Sequence, residues 1–528
     1  MPLPPLPIDD ALPALGSALA AAPYAVLVAP PGAGKTTRVP LALLDAPWRG
    51  DNRIIMLEPR RLAARAAAAQ MARLLGEEVG QTVGYRIRMD SRVSARTRIE
   101  IVTEGVFTRL VLDDPELTGI AAVLFDEFHE RSLDGDLALA LTLDAAALRP
   151  DLRVLVMSAT IDGARVARLL GGAPVIESQG RAFPVETVYR EPDPLGRLED
   201  QVSAAVLSAL REHEGSALVF LPGQGEIART AGRLAGRVPA HVDIAPLYGQ
   251  LNPAEQDRAI RPAAPGRRKV VLATSIAETS LTIEGVRIVV DSGFRRIPVY
   301  EPGTGLTTLA TTRVSRAGAD QRRGRAGRTE PGVAIRLWHE GQTAALAPFD
   351  TPEILAADLA PLALDLAAWG VTDPASLAFL DPPPAPAWAE AVTLLRALDA
   401  LDVQGRITQA GKALVRLPLH PRLAHMVVAA AAEDEALTAA ELAVLVTERG
   451  LGGDAIDLAH RLDRFRSDRS RRAEEARSLA HRWVSRTNSR KTAGNLPVSL
   501  HLARAYPDRV AQATGRGKFR LANGRQAS

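Results

Sequence analysis

The stretch Tyr24-Ala-Val-Leu-Val-Ala-Pro-Pro-Gly-Ala-Gly-Lys-Thr-Thr37 decides the fold class. Tyr24 to Val28 are apolar and β-prone, as a buried strand is. Pro30, Pro31, Gly32 and Gly34 then break the strand, and Lys35 opens a segment with helical spacing. A strand, a glycine-rich loop, Gly-Lys-Thr and a helix make a phosphate-binding P-loop. The N–H groups of such a loop and the positive end of the helix behind it wrap a polyphosphate. Lys35 is placed to reach the β- and γ-phosphates, and the Thr36 hydroxyl to ligate Mg²⁺. Ala29 stands where the usual pattern opens with glycine, so an ordinary strand–turn–helix corner is the competing reading.

From residue 24 to about 176 short apolar strands alternate with helices. The expected strands are Tyr24–Val28, Ile54–Leu57, Ile99–Val102, Val123–Phe125, Val154–Met157 and Val175–Ile176. Such alternation predicts a parallel sheet with helices on both faces and ligands at the carboxyl ends of its strands. A second alternating block runs from about 184 to 340, with strands at Ala217–Leu221, Val270–Ala273, Ile288–Val290 and Ala334–Leu337, and has no P-loop. Two α/β blocks with one P-loop between them suggest a nucleotide clamped by both. After Pro352 the chain reads as Ala- and Leu-rich helices, broken at Pro382-Pro383-Pro384 and at Leu417-Pro-Leu-His-Pro421. Phe519-Arg-Leu-Ala-Asn-Gly524 reads as a strand entering a turn.

The 528 residues are too many for one core and predict three or more domains. A hydrophobic content of 47% with 24% charged residues describes a soluble globular chain. No apolar run is long enough to span a membrane. Met1-Pro-Leu-Pro-Pro-Leu-Pro7 lacks the basic and apolar regions of a signal peptide. The absence of cysteine excludes disulfides and cysteine-held metals, and the nine His show no metal-ligand spacing. Net charge is only +3 and nearly all the base is arginine, so composition itself says little about nucleic acid.

Four further strings carry chemistry. Phe125-Asp-Glu-Phe-His129 follows the strand ending at Phe125. There Asp126 suits an Mg²⁺ site and Glu127 suits a base for the attacking water, the alternative being a solvated acidic turn. Ser158-Ala-Thr160 ends the next strand and means something only in this order. Ala273-Thr-Ser-Ile-Ala-Glu-Thr-Ser-Leu-Thr-Ile-Glu-Gly285 is rich in hydroxyls that suit the phosphates of a nucleic-acid strand, or merely cap a helix. Gln321-Arg-Arg-Gly-Arg-Ala-Gly-Arg328 offers Arg325 and Arg328 as arginine fingers, whose guanidinium forks match phosphate. A basic surface helix or an RNA-binding patch is the bland alternative. The arginines between Arg461 and Arg490 alternate with acids and read as a solvated face with i,i+4 pairs, a basic lining of an RNA channel being the alternative.

Taken in order, Ala29–Thr36, Glu58-Pro-Arg-Arg-Leu-Ala-Ala-Arg65, Thr103-Glu-Gly105, Asp126–His129, Ser158–Thr160, Phe220-Leu-Pro-Gly223, Pro246-Leu-Tyr-Gly249, Ala273–Gly285 and Gln321–Arg328 resemble the successive motifs of superfamily 2 helicases. Within that superfamily the chain is most similar to the DEAH/RHA group and to its bacterial HrpB-type ATP-dependent helicases. Glu130-Arg-Ser-Leu133, Pro352-Glu-Ile-Leu355, Thr447-Glu-Arg449 and Tyr506-Pro-Asp-Arg509 fit that subgroup.

The resemblance implies two tandem RecA-like domains at 1–178 and 179–345. A winged-helix domain at 346–416, a helical ratchet at 417–490 and the start of a C-terminal region at 491–528 would follow. It implies ATP as the nucleotide, Mg²⁺, and hydrolysis coupled to 3′-to-5′ translocation on and unwinding of single-stranded nucleic acid, RNA in particular. The alternative is an RNA-stimulated ATPase that remodels ribonucleoprotein without net unwinding. By motif, Gly32, Ala33, Gly34, Lys35, Thr36 and Thr37 would hold the phosphates. Thr36 and Asp126 would hold the metal, Glu127 would be the general base, and Gln321 would position water. Arg325 and Arg328 would be fingers from the second domain. Arg60, Thr103, Gly223, Ser280 and Thr282 would touch the strand, and His129, Ser158 and Thr160 would couple hydrolysis to movement. Pro298–Leu309, with Gly303 and Gly305, would be a β-hairpin wedge. Two departures stand out: Ser275 replaces a common Asn, and Gln70 and Ile260 align where eukaryotic relatives sandwich the base between Arg and Phe, which predicts weak base selectivity. A monomer in the bacterial cytoplasm, away from membranes, completes the expectation.

Overall fold

A computed structural model describes residues 5–88, 90–159, 163–179, 183–278, 283–301, 306–448, 450–487, 489, 494, 496–515 and 517–527. Its described residues divide into two units, Met1–Ala357 with Leu377–Pro382, and Asp358–Ser376 with Pro383–Ser528. The sequence places the change of character at Pro352, close to the first of these boundaries.

The first unit holds two parallel sheets. One is built from β1 (Tyr24–Val28), β2 (Arg53–Leu57), β3 (Val83–Ile87), β4 (Asp90–Arg92), β5 (Ile99–Val102), β6 (Ile120–Phe125), β7 (Arg153–Ser158) and β8 (Val175–Glu177). Their order is β4-β3-β5-β2-β6-β7-β1-β8, parallel throughout except for β4 at the edge. All six residues of β6 are buried. That is why it reads as an unbroken apolar run rather than an alternating one. Register matters more than order here. Leu57 pairs with both Val102 and Phe125, Phe125 with Val156, and Val28 with Ser158. The strands therefore stop along one line, and the loops after β1, β2, β5, β6 and β7 share one edge.

The second sheet has β9 (Val185–Tyr189), β10 (Ser216–Phe220), β11 (Val242–Leu247), β12 (Arg268–Ala273), β13 (Val286–Asp291) and β16 (Gly332–Arg336), in the order β11-β12-β10-β13-β16-β9. Between β13 and β16 lies an antiparallel hairpin, β14 (Phe294–Glu301) with β15 (Leu306–Arg313). The pairing runs from Phe294 to Arg313, wider than the wedge expected at Pro298–Leu309. Gly303 and Gly305 of that expectation lie outside the described residues.

The expected strands all occur, Tyr24–Val28 and Ile99–Val102 to the residue and the others with an end shifted by one to three residues. Those the sequence hid are β3, β4, β9 and β11. β3 carries Gly84 and Arg86 within its five residues. A Cβ on Gly84 would stand 2.5 Å from the Arg92 carbonyl oxygen, so glycine is needed for the approach of the neighbouring chain. β11 contains Asp243 and Pro246, tolerable because it is an edge strand.

A buried arginine organises the second lobe. Arg322 lies between Asp291, at 2.8 Å, and Glu278, at 3.2 Å, and packs 4.9 Å from the centroid of the Phe220 ring. The two carboxylates hold its guanidinium charge firmly against the cost of burial. It thereby joins β13, the end of β10 and the loop after β12.

The second unit is helical, as expected. Helices Ala360–Trp369, Ala385–Ala397 and Gln409–Val415, with an isolated antiparallel bridge between Leu401 and Ile407, precede the helices Pro421–Ala431, Ala436–Thr447, Leu458–Ser467 and Arg471–Val484. Arg471 and Glu475 form the anticipated i,i+4 pair. After the helix Val498–Ala505 the chain forms a three-stranded antiparallel sheet, β17 (Ala511–Gly515), β18 (Lys518–Leu521) and β19 (Gln526–Ala527). Phe519 to Leu521 do run as a strand into a turn.

Arg322→Ala should destabilise the second lobe by about 3–5 kcal/mol, because two buried carboxylates lose their cation. Faster hydrogen exchange in β10, β12 and β13 is the expected readout.

Candidate functional site

The loop after β1 turns through Gly32 (φ 86°) and Gly34 (φ 97°), both left-handed and suited to glycine. A Cβ on Gly34 would also stand 2.6 Å from Leu6 Cδ1, because the N-terminal segment packs beneath the loop. Ile8 N donates to Ala33 O at 3.1 Å from the same side. Lys35 begins the helix Lys35–Ala42.

The loop after β6 meets it. Lys35 Nζ donates to Glu127 Oε1 at 2.9 Å and lies 3.7 Å from Asp126 Oδ1. Thr36 Oγ1 donates to Asp126 Oδ2 at 2.5 Å. All four are drawn from the two strings that the sequence singled out. Phe125 and Phe128 anchor this turn, packing edge-to-face on each other at 6.3 Å, with Phe125 also against Phe107. Burial pushes the Asp126 carboxyl up to about 6, against the pull of Lys35. Burial also opposes the Glu127 charge, but Lys35 first and then Arg325 outweigh it and hold that carboxyl below its ordinary pKa.

His129 faces the next strand end. Its Nδ1 accepts from Ala159 N at 3.3 Å, and burial holds the ring below its ordinary pKa. A neutral ring with a lone pair on Nδ1 gives no proton to Glu127 Oε2, which lies 3.4 Å away. Glu127 Oε2 is buried with no hydrogen-bond donor among the described residues. Ser158 is buried at the end of β7, its carbonyl accepting from Ala29 N at 2.9 Å. His129, Ser158 and the P-loop strand are thus joined; Thr160 lies outside the described residues.

The second lobe completes the cleft. Helix Arg316–Gly324 leads into the turn Arg325–Gly327. Gly327 is a true close approach, since a Cβ there would stand 2.5 Å from Phe183 O; at Gly324 the space is open. Arg328 lies over the P-loop: a Cβ on Gly32 would be 3.7 Å from Arg328 Nε. Arg325 Nε donates to Glu278 O at 2.9 Å. Burial, then the charge of Arg328, drives Arg325 well below its ordinary pKa, and burial brings Arg328 to about 10. Two guanidiniums side by side at the P-loop, Arg325 buried and Arg328 half-buried, suit an anion. Gln321 is buried on the same helix and lines a 520 Å³ cavity with His129 and Arg60.

The residues fit a triphosphate with a divalent cation. Thr36 and Asp126 converge two oxygens, the ligand type Mg²⁺ prefers, with the Glu127 carboxylate next in the chain.

The expected strand contacts are less unified. Arg60 Nε donates to Glu130 at 3.2 Å and its Nη1 donates to the Ser275 carbonyl at 2.7 Å, tying the two lobes. Ser275, the departure from Asn, thus acts through its backbone. Thr103 is half-buried at the start of helix Glu104–Asp113. Gly223 is covered by Arg296, whose Nη1 would be 2.5 Å from a Cβ there. Ser280 and Thr282 lie outside the described residues. Thr37 Oγ1 donates back to Gly34 O at 3.5 Å. The sequence did not single out Glu278 or Arg322 for this cleft. A glutamate inside an otherwise hydroxyl-rich string was the available signal.

Comparison with known proteins gives the architecture a family. Residues 14–169 match the DEAD/DEAH box helicase model, 200–330 the helicase conserved C-terminal domain, and 391–419 the helicase-associated winged-helix domain (HA2). The chain is 46% identical over 522 residues to the ATP-dependent RNA helicase HrpB of Escherichia coli K12. The chain belongs to the DEAD/DEAH-box helicase family. The alignment takes in 98% of the chain and 63% of that relative, so the chain spans less than two thirds of its length. A crystal structure of the E. coli DEAH/RHA helicase HrpB superposes with a TM-score of 0.90 at 45% identity, over 99% of this chain and 66% of that one. A second, of the E. coli DExH-box NTPase HrpB, gives 0.86 at 46%, over 100% and 64%. The parallel sheets, two tandem helicase domains and winged helix match that family. Among the described residues no helix is long and apolar enough to cross a membrane.

In this chain the Thr103-Glu104-Gly105 string also hides a proton site. Burial raises the Glu104 carboxyl to about 8, against a hydrogen bond from Ser132 Oγ at 2.5 Å; Asp134, Glu130 and Glu353 add repulsion. An acid whose folded pKa exceeds its unfolded one contributes most below the unfolded value, 4.5, and loses that contribution as pH rises toward about 8. Stability of the first lobe should fall across that window, and Glu104→Gln should flatten the fall. Urea midpoints measured from pH 5 to pH 9 check this.

Proposed function

We propose that this chain is an ATP-dependent helicase engine that couples nucleotide hydrolysis to 3′-to-5′ movement on single-stranded nucleic acid, RNA in particular, and to unwinding. The observation that carries the reading is Arg328 lying over Gly32 of the P-loop, with Arg325 charge-coupled to Glu127. Hydrolytic groups from two lobes meet in one cleft. The HrpB relative is named an ATP-dependent RNA helicase, which supports the choice of nucleotide and strand.

In the reaction the P-loop N–H groups from Gly32 to Thr37 and Lys35 hold the β- and γ-phosphates. Thr36 and Asp126 are suited to Mg²⁺, which when bound neutralises charge on the β- and γ-oxygens. Glu127 Oε2 takes the proton of a water as its oxygen bonds to the γ-phosphorus and the bond to ADP breaks. Its low pKa keeps it ionised and ready at neutral pH. Gln321 positions that water, and Arg325 and Arg328 stabilise the charge of the transferring group. ATP brings a γ-phosphate anion between the two lobes for them to hold, and hydrolysis removes it. That differential affinity drives the lobes between states. His129, through Ala159 N, passes the change toward Ser158 and Thr160. Strand contacts by Arg60, Thr103, Gly223, Ser280 and Thr282 fall on both lobes, so their spacing changes with closure. Contacts to phosphate carry no sequence information, so binding is sequence-tolerant and salt-sensitive.

We assign the domain limits 1–178, 179–345, 346–416, 417–490 and 491–528. Base selectivity is weak, with Gln70 and Ile260 at the sandwich positions, and the working form is a cytoplasmic bacterial monomer.

Lys35→Ala should abolish turnover. Glu127→Gln should abolish it while still binding ATP. Arg328→Ala should spare ATP binding and slow hydrolysis by roughly 10³-fold or more. ATPase assays with and without poly-RNA check these, and a lack of RNA stimulation counts against the RNA reading. Displacement from duplexes with a 3′ tail supports unwinding. Stimulation without displacement points to a remodelling ATPase instead.

A further inference from the structure

The turn that carries Glu127 is bracketed by two non-glycine residues in left-handed backbone, Glu127 at φ 49° and Arg131 at φ 50°. Between them Phe128–Glu130 form one 3₁₀ turn. Such backbone is strained for a residue with a Cβ and persists only where its surroundings hold it.

The Arg131 side chain supplies that hold. Its Nε donates to Asp136 Oδ1 and its Nη2 to Asp136 Oδ2, each at 3.0 Å. Nη2 also lies 2.7 Å from Asp381 Oδ2. The guanidinium sits 5.8 Å from the centroid of the Phe128 ring. Asp381 Oδ1 in turn accepts from Arg165 at 2.5 Å, and Arg165 also donates to Leu380 O at 2.7 Å. Arg165 is on helix Gly163–Leu169, which follows β7. A second tie acts on the backbone: Glu353 N donates to Arg131 O at 3.0 Å, and the Glu353 carboxylate accepts from Leu133 N at 2.9 Å.

Exposed ion pairs are worth little. This cluster is different in kind, because the side chains of Arg131, Asp381 and Asp136 are 11%, 16% and 1% exposed. Bidentate geometry at one end and a shared carboxylate at the other fix the guanidinium in direction as well as place. The source of Asp381 is also unusual. Leu377–Pro382 belongs to the first unit, yet is flanked in sequence on both sides by residues of the second.

We propose that Arg131, Asp136 and Asp381 form a positioning clamp for hydrolysis, in which Arg131 holds the left-handed turn that aims Glu127 and Asp381 ties that turn to the helix bearing Arg165. None of the three touches the nucleotide; they act through Glu127. The clamp rests on the reading of Glu127 as the general base. It makes a six-residue segment from far along the chain a working part of the reaction centre.

The test is steady-state ATPase kinetics of Asp381→Asn in the full chain, beside equilibrium binding of a fluorescent ATP analogue and thermal unfolding. Loss of aim without loss of binding should lower kcat about 10-fold, with KM and analogue affinity within about twofold of the parent. Asp381→Glu, which keeps the charge, should recover most of the rate. If Asp381→Asn does not fold, Arg165→Gln removes the outer half of the clamp and carries the same expectation. A kcat within twofold of the parent overturns the clamp, as does a fall in kcat matched by losses in affinity and melting temperature. Absence of ATPase in the parent chain would sink the hydrolase reading itself, a separate result.

Discussion

Charge in a closed cleft is the constraint on which this molecule turns. Lys35 and Arg325 are buried cations and Arg328 a half-buried one, and Asp126 and Glu127 are the buried carboxylates that face them. Removing one such charge from water costs several kcal/mol unless a partner is close. Lys35 is well served, lying between both acids. Burial weighs more heavily on the two arginines and lowers the pKa of each. A polyphosphate with its metal would redistribute the whole set. The cleft is therefore poised for a ligand rather than built for its own stability, as functional sites commonly are.

The sheets make this arrangement possible. Paired registers end the strands along a common edge, so five loops from distant parts of the sequence open on one side. The aromatic packing of Phe107, Phe125 and Phe128 then fixes the acidic turn from beneath, while Arg322 fixes the finger-bearing lobe. These two anchors differ in character. One is apolar packing, indifferent to neighbours' protonation; the other is a guanidinium that needs both Glu278 and Asp291. Arg60 spans the lobes by reaching the backbone carbonyl of Ser275.

Much of this was legible in residue order. The strand-loop-Lys-Thr string, the Asp-Glu-Phe-His string and the arginine-glycine string each declared their chemistry, because loops that hold phosphate tolerate few residue types. The alternation of apolar runs with helices gave the parallel sheets. What stayed hidden were strands whose composition is compromised by their neighbours, such as β3 with Gly84 and β11 with Pro246, and the roles of Glu278, Arg131 and Asp381. Arg131 and Asp381 are ordinary charged residues in their own local contexts, and nothing in spacing relates one to the other.

Sequence by itself determined the class of fold and marked the glycine-rich loop, the acidic turn and the arginine string that the structure then brings together. All of these depend on short-range pattern, since helix and strand periodicity and loop chemistry are local properties. Tertiary structure alone decided that Arg328 faces Gly32, that Gly223 lies under Arg296, that Glu127 sits in left-handed backbone, and that Asp381 reaches the turn beside it. Those are facts of long-range packing, in which burial removes water and makes the partner of a charge, not its neighbours in the chain, set its energy.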